Sequence, residues 1–180
     1  MLTLFRKKKL AEEKVANVFV NTLLDLVDEG FPEVAALINE DPEFSISPNI
    51  NAEDSDRFLL IMLAGNMKYI PDYFTNYQDF RLMDLINRKM ALALGVEADA
   101  LKQTISNYQS FFTRINHPSK NTHYAMSKAV FYKYELNDFQ SEYFRNMKTP
   151  NPIFLKRLDD IVAHFIWDWE SFQNKFRVVE

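Results

Sequence analysis

The chain contains no cysteine and only three glycines, Gly30, Gly65 and Gly95, among its 180 residues. Without thiols it has no disulfides, no thiolate nucleophile and no cysteine ligands for zinc or iron–sulfur clusters, and this composition fits a reducing compartment. Because each glycine is isolated, the Gly-rich loops that hold phosphates in P-loop and dinucleotide-binding folds are excluded. We therefore expect a cytoplasmic protein that carries no cofactor.

Long apolar runs are also missing. The richest run, residues 58–64, is far shorter than the roughly 20 residues that span a bilayer. At the amino terminus Leu2, Leu4 and Phe5 precede the basic residues 6–9, which reverses the order found in a secretory leader. Such a segment can touch an anionic membrane surface, but so few charged and apolar side chains favour the solvated start of a helix. We expect neither a transmembrane segment nor membrane contact by the amino terminus.

Apolar residues recur three or four positions apart along most of the chain, as on helices that bury one face. The pattern and its Gly and Pro stops predict helices that end at Gly30, Ile38, Ile70 and Gly95, followed by one from Glu97 to Asn116 and one that starts at Ser119 or Asn121. A short aromatic helix near residues 139–144 and a long helix over 154–176 complete the series. No strand alternation is evident. The sequence predicts an all-α, single-domain helical bundle of about seven or eight helices.

Residues 39–54 are the clearest loop. They contain two prolines, several short polar side chains and five acidic residues. Phe44, Ile46 and Ile50 are the candidate tethers to the core. Because a connection of this length is unusual and often functional, we predict an ordered, acidic surface loop.

Charge is distributed unevenly within a net charge of −4. Residues 11–60 hold 12 acidic residues against Lys14 and Arg57, whereas residues 101–180 hold 11 basic residues against 8 acidic ones. If the fold keeps this separation, an acidic face would steer a basic protein partner; alternatively, helix packing averages the charges over the surface. The predicted partner-binding residues are the acids of the loop and its flank: Glu40, Asp41, Glu43, Glu53, Asp54 and Asp56.

Recognisable catalytic spacings are absent. The sequence has no Glu-x-x-His, no His-Glu-x-x-His and no Gly-x-Ser-x-Gly. The sharpest remaining arrangement is Asp160, His164 and Asp168, because spacing by four on one helix places two carboxylates beside an imidazole. Such a cluster can serve proton transfer or metal binding, but ordinary surface ion pairs have the same spacing. These three residues are the only catalytic candidates, and no metal site is expected.

Aromatic and basic residues are interleaved between residues 124 and 148. Such a mixture can stack on single-stranded nucleic acid, but a pI near 5.5 argues against that partner. Core packing explains the same residues, and so does an aromatic-lined groove for an apolar ligand or a partner helix. We predict a protein interaction or regulatory module without catalytic activity. The alternative is a small-molecule or metal-dependent activity in an aromatic-lined pocket near His164.

Overall fold

Eight α-helices follow one another in residues 7–180, the part of the chain that the computed structural model describes. They are α1 (Glu12–Asn39), α2 (Asp56–Tyr73), α3 (Gln78–Leu94), α4 (Ala98–Asn116), α5 (Thr122–Lys133), α6 (Glu142–Met147), α7 (Pro152–Val162) and α8 (Trp169–Lys175). Short 3-10 helices lie at Leu136–Phe139 and Ala163–Phe165. The predicted all-α, single-domain bundle is confirmed. The prediction for Leu2, Leu4 and Phe5 falls outside the described residues.

A two-stranded parallel sheet joins the two ends of the described chain. Strand β1 (Lys8–Ala11) pairs with β2 (Phe176–Val179), so that Lys8 lies opposite Phe176 and Ala11 opposite Val179. No alternation in the sequence indicated this sheet. Each strand has only four residues, which is too short for apolar alternation to be distinguished from a helix end.

Helix α2 lies at the centre of the core. It contacts α1, α3, α4, α5 and α8, and ten of its residues are buried, including Phe58, Ile61 and Met62. This position agrees with its sequence, which is apolar on nearly all sides. Around it, α1 packs on α3, and α5 packs on both α4 and α7. The predicted stop at Gly95 and the predicted helix that ends at Asn116 are also confirmed.

Helix α1 continues through Gly30 and Pro32, where the sequence predicts a stop and a second helix. Gly30 instead allows the Phe165 ring to approach the backbone of α1 closely, because a Cβ placed there would lie 2.9 Å from Cζ of that ring. Pro32 removes one backbone hydrogen bond from the helix. The neighbouring Phe31 and Val34 are buried, so tertiary packing outweighs the local preference for a break.

The predicted long helix over 154–176 is also wrong. Helix α7 ends at Val162, and the chain passes through the 3-10 turn before α8 begins at Trp169. The cause lies on α2, where the buried amide of Asn66 donates to the carbonyl oxygen of Phe165 at 2.9 Å and accepts from the N–H of Trp167 at 2.7 Å. These bonds hold the backbone in a non-helical path. The helix predicted to end at Ile70 likewise continues through Pro71, because α2 extends to Tyr73.

The segment between α1 and α2 is held by side-chain and backbone contacts. Asn39 and Ile50 exchange two hydrogen bonds, of 2.9 and 2.7 Å. Phe44 is buried, with its ring 4.7 Å from that of Phe154, and it forms a backbone bridge with Gln140. Ile46 is 66% exposed, so the prediction that it tethers the loop is wrong.

Candidate docking groove

A groove with a volume of about 560 Å³ separates the second half of α1 from α7 and the 3-10 turn that follows it. We call it the α1–α7 groove. The wall from α1 consists of Leu26, Glu29, Gly30, Glu33, Val34 and Leu37. The opposite wall consists of Asp160, Ile161, His164 and Phe165. Two elements far apart in sequence thus form a single concave surface.

The floor of the groove is apolar. Its residues on α1 recur three or four positions apart, so they form a second stripe beside the one that packs into the core. Leu26 and Leu37 remain 40% and 46% exposed at its two ends. In the middle, the Phe165 ring lies against Gly30 and packs edge-on against Phe58, with ring centroids 4.9 Å apart. The ring closes the space between the two walls.

The rim of the groove is acidic. Glu29 and Glu33 lie one turn apart on α1, are exposed, and form no ion pair with any residue from 7 to 180. On the opposite rim, Asp160 accepts a 2.7 Å hydrogen bond from Lys156, and both side chains are largely exposed. Such a surface pair contributes little and exchanges readily. The groove therefore combines an apolar floor with carboxylates on both sides.

The fold neutralises the amino-terminal part of the acidic region. Glu12 is buried and bound by the Arg81 guanidinium at 2.8 and 3.0 Å, and these bonds hold the pKa of Glu12 below its ordinary value. Glu13 forms an ion pair with Lys89. In the middle of α1, by contrast, four exposed acids have no ion-pair partner in the described chain: Asp25, Asp28, Glu29 and Glu33. Two of these four acids, Glu29 and Glu33, line the groove.

The structure separates the three catalytic candidates. Because α7 ends at Val162, Asp160, His164 and Asp168 do not share a helical face, and the geometry predicted for them is wrong. Asp160 and His164 both line the groove. Asp168 instead caps α8 and accepts from the N–H of Ser171 at 2.9 Å, a bond that lowers the pKa of Asp168. Across residues 7–180, no three His, Asp or Glu side chains are grouped as metal ligands.

Two of the predicted partner-binding acids, Asp41 and Glu43, form hydrogen bonds with other residues of this chain. Asp41 is bound by the Nε and Nη2 atoms of Arg157, each at 2.8 Å. Glu43 accepts a 2.7 Å hydrogen bond from Asn151. Both contacts tie the loop to α7 or to Asn151, the residue that caps α7, so these carboxylates stabilise one wall of the groove. The two partners of each contact are more than 100 residues apart in sequence, so no local sequence pattern predicts either contact.

The other four predicted acids differ in their surroundings. Asp54 forms a 2.6 Å ion pair with Arg57. Glu40, Glu53 and Asp56 are exposed and remain accessible to a partner. Glu29 and Glu33, which line the groove, are not among the site residues predicted from the sequence. The sequence signal that could have indicated this site is the second set of apolar positions on α1. That set can be recognised as part of a groove only when the residues of the opposite wall are known.

Aromatic side chains near His164 line mainly a second, smaller cavity of about 190 Å³, to which Phe19, Phe165 and Trp167 contribute. Phe165 is the one aromatic side chain among the described residues that line the groove. On α4 and α5, neighbouring cations already cover aromatic rings: Lys133 lies 4.6 Å from the centroids of both Tyr108 and Phe111, and Lys128 lies 4.9 Å from that of Tyr124. The Lys133 contacts join α5 to α4, and the Lys128 contact lies within α5.

Behind the groove, Asp159 is buried where α7 packs on α5. It is 9% exposed, its Oδ1 has no hydrogen-bond partner among residues 7–180, and burial raises its pKa, partly countered by Ser127 and His123. We expect Asp159→Asn to raise the free energy of unfolding by about 1 kcal/mol at neutral pH, because a buried carboxylate charge is removed. As the pH falls and Asp159 takes up a proton, the free energy of unfolding of wild type should rise toward that of Asp159→Asn, so that the difference between them shrinks.

Urea unfolding of wild type and Asp159→Asn between pH 4 and 8 measures this effect. The matched control is the adjacent Asp160→Asn, which alters an exposed carboxylate and should change stability by less than about 0.5 kcal/mol. A gap between wild type and Asp159→Asn that stays constant or widens toward acid pH would contradict the assignment.

Comparisons with known proteins add no further site. No family model, no curated protein and no solved structure matches the chain. Among the helices of residues 7–180, none has the length and apolar content needed to cross a membrane.

Proposed function

We propose that this chain is a protein interaction module, without catalytic activity, that holds a segment of a partner in the α1–α7 groove. The main support for this proposal is that the α1–α7 groove has a partly exposed apolar floor together with acidic residues along its rim. Burial of each partly exposed leucine, Leu26 and Leu37, would contribute about 1 kcal/mol to binding. The carboxylates of Glu29 and Glu33, which have no ion pair within residues 7–180, would select the partner by charge.

The exposed loop acids support the same proposal. Glu40 follows α1 at the end of the groove marked by Leu37, and Glu53 and Asp56 lie farther along the loop and at the start of α2. Exposed charges outside a contact surface mainly raise the association rate, and salt weakens their effect. We propose that these three acids steer the partner, and that Asp41, Glu43 and Asp54 stabilise the loop. A cytoplasmic location is part of the proposal and rests on the absence of cysteine.

The test is capture of protein partners by wild type and by Leu26→Ser/Leu37→Ser. Both leucines are partly exposed, so the double variant should fold, and loss of their contacts should reduce a stoichiometric captured protein by about tenfold or more. The matched control is Leu92→Ser/Ile153→Ser, which removes two exposed apolar side chains elsewhere and should leave capture unchanged. Equal capture by wild type and the groove variant would overturn the proposal.

Small-molecule binding is the second candidate. The groove volume lies within the roughly 300–1,000 Å³ of known ligand pockets, and His164 lies in its wall. The capture experiment distinguishes protein binding from small-molecule binding if the captured material is identified by mass spectrometry, which detects both proteins and small molecules. A bound small molecule that is lost in His164→Ala, without a protein partner, would support this candidate; its retention in that variant would exclude His164 as the binding residue.

A further inference from the structure

We infer that the segment held in the α1–α7 groove is a basic, amphipathic α-helix of about three turns. This inference rests on the proposed function and specifies the chemistry of the partner. It follows from three properties of the groove: its length, the position of its apolar surface and the sign of its charge.

The length of the groove sets the length of the ligand. Its exposed apolar ends, Leu26 and Leu37, are 11 positions apart on α1. At 1.5 Å per residue this corresponds to about 16 Å, or three helical turns. A partner helix that lies along α1 would therefore place about 11 residues in the groove.

The apolar surface is arranged for one face of a helix. The apolar side chains that line the groove come from both sides: Leu26, Val34 and Leu37 from α1, and Ile161 and Phe165 from α7 and the 3-10 turn. In the helix-in-groove mode of recognition, apolar side chains at positions i, i+3 or i+4 and i+7 enter such a floor, while the opposite face of the ligand helix stays in water. This arrangement also satisfies the backbone of the ligand internally, so that the groove need not supply main-chain hydrogen bonds.

The charge of the rim selects a basic ligand. Glu29 and Glu33 lie on one side of the floor without an ion pair among residues 7–180. On the other side lies Asp160, whose exposed pair with Lys156 a cation of the ligand could replace. Lysine or arginine on both flanks of the ligand's apolar face would meet these carboxylates. An acidic or phosphorylated segment would be repelled, since like charges placed together oppose binding.

The test uses synthetic 15-residue peptides labelled with fluorescein and titrated with the full chain, with fluorescence anisotropy as the readout. The first peptide has leucines at positions 3, 6, 10 and 13 of a helix and lysines on both flanks of that face. The second has the same composition in scrambled order, and the third has glutamate in place of lysine. We expect the first peptide to bind at least about tenfold more tightly than the other two and to gain helical circular dichroism on binding.

Charge reversal locates the binding site. Glu29→Lys/Glu33→Lys should weaken binding of the first peptide by about tenfold or more. The matched control, Asp72→Lys/Asp138→Lys, changes the net charge equally at two exposed acids outside the groove and should keep the affinity within about twofold.

Three outcomes would overturn the inference: equal binding of the ordered and scrambled peptides, equal effects of the two charge reversals, or no binding of the first peptide. The capture experiment shows which proposal has failed. If capture still depends on Leu26 and Leu37, only the basic-helix assignment falls. If capture is also independent of these leucines, the groove itself is not the docking surface, and both proposals fall.

Discussion

Trp169→Ala is expected to lower the free energy of unfolding by about 3–5 kcal/mol, as large aromatic truncations in well-packed cores do. Trp169 is 1% exposed at the start of α8. Its ring centroid lies 5.7 Å from that of Phe19, 5.2 Å from that of Phe74 and 5.8 Å from that of Phe172. Alanine would leave a cavity bordered by α1, α2 and α8, and it would release the segment that leads into β2.

Urea unfolding followed by circular dichroism measures this loss. Trp169→Phe is the informative companion, because the indole Nε1 has no hydrogen-bond partner in the described chain and phenylalanine removes only part of the ring volume. We expect it to cost about 1–2 kcal/mol. Tyr77→Ala, at an exposed aromatic residue, should stay within about 0.5 kcal/mol of wild type. A loss below about 1 kcal/mol for Trp169→Ala would show that the site collapses without a cavity.

Asn66→Ala is expected to cost roughly 3 kcal/mol, because it leaves buried backbone groups without partners. The Asn66 side chain is 1% exposed, donates to the carbonyl oxygens of Met62 and Phe165, and accepts from the N–H of Trp167. The last two bonds position the 3-10 turn that carries Phe165 into the groove. Loss of Asn66 should therefore also weaken binding of the basic peptide.

Hydrogen exchange identifies the local effect. The amide of Trp167 should exchange faster in Asn66→Ala than wild type by more than the change in global stability requires. Asn107→Ala, at an exposed position on α4, is the control and should leave this amide unaffected. Unchanged protection of the Trp167 amide relative to global unfolding would show that other contacts determine the turn.

Local signals predicted the parts of the fold that are determined locally. Gly95 adopts a left-handed conformation at the end of α3, and Asn121 caps α5 by accepting from the N–H of Tyr124, as the sequence suggests. The apolar character of α2 correctly indicated its central position. At both helix ends, the residue that predicts the end lies within a few positions of the backbone groups that it caps or turns.

The errors arise where distant contacts override a local preference. The break after Val162 is fixed by Asn66, about 100 residues earlier in the chain. The strands that pair Lys8 with Phe176 are individually too short to recognise. The groove is subject to the same limit, because α1 presents its acidic and apolar stripe without any indication that α7 will lie opposite. The helices could thus be predicted, but the site formed between them could not.

The contact between Gly30 and Phe165 links the packing of the core to the shape of the α1–α7 groove. Alanine has the higher helix propensity by about 1 kcal/mol, so a position chosen for helix formation alone would favour it over glycine. A Cβ at position 30 would displace the ring that both packs on Phe58 and forms the floor of the groove. If the groove holds the proposed ligand, a substitution at this position would change ligand preference only together with the packing of the core, whereas Glu29 and Glu33 could change independently of it. Binding specificity at the proposed site would then be altered through the acidic rim and not through the floor.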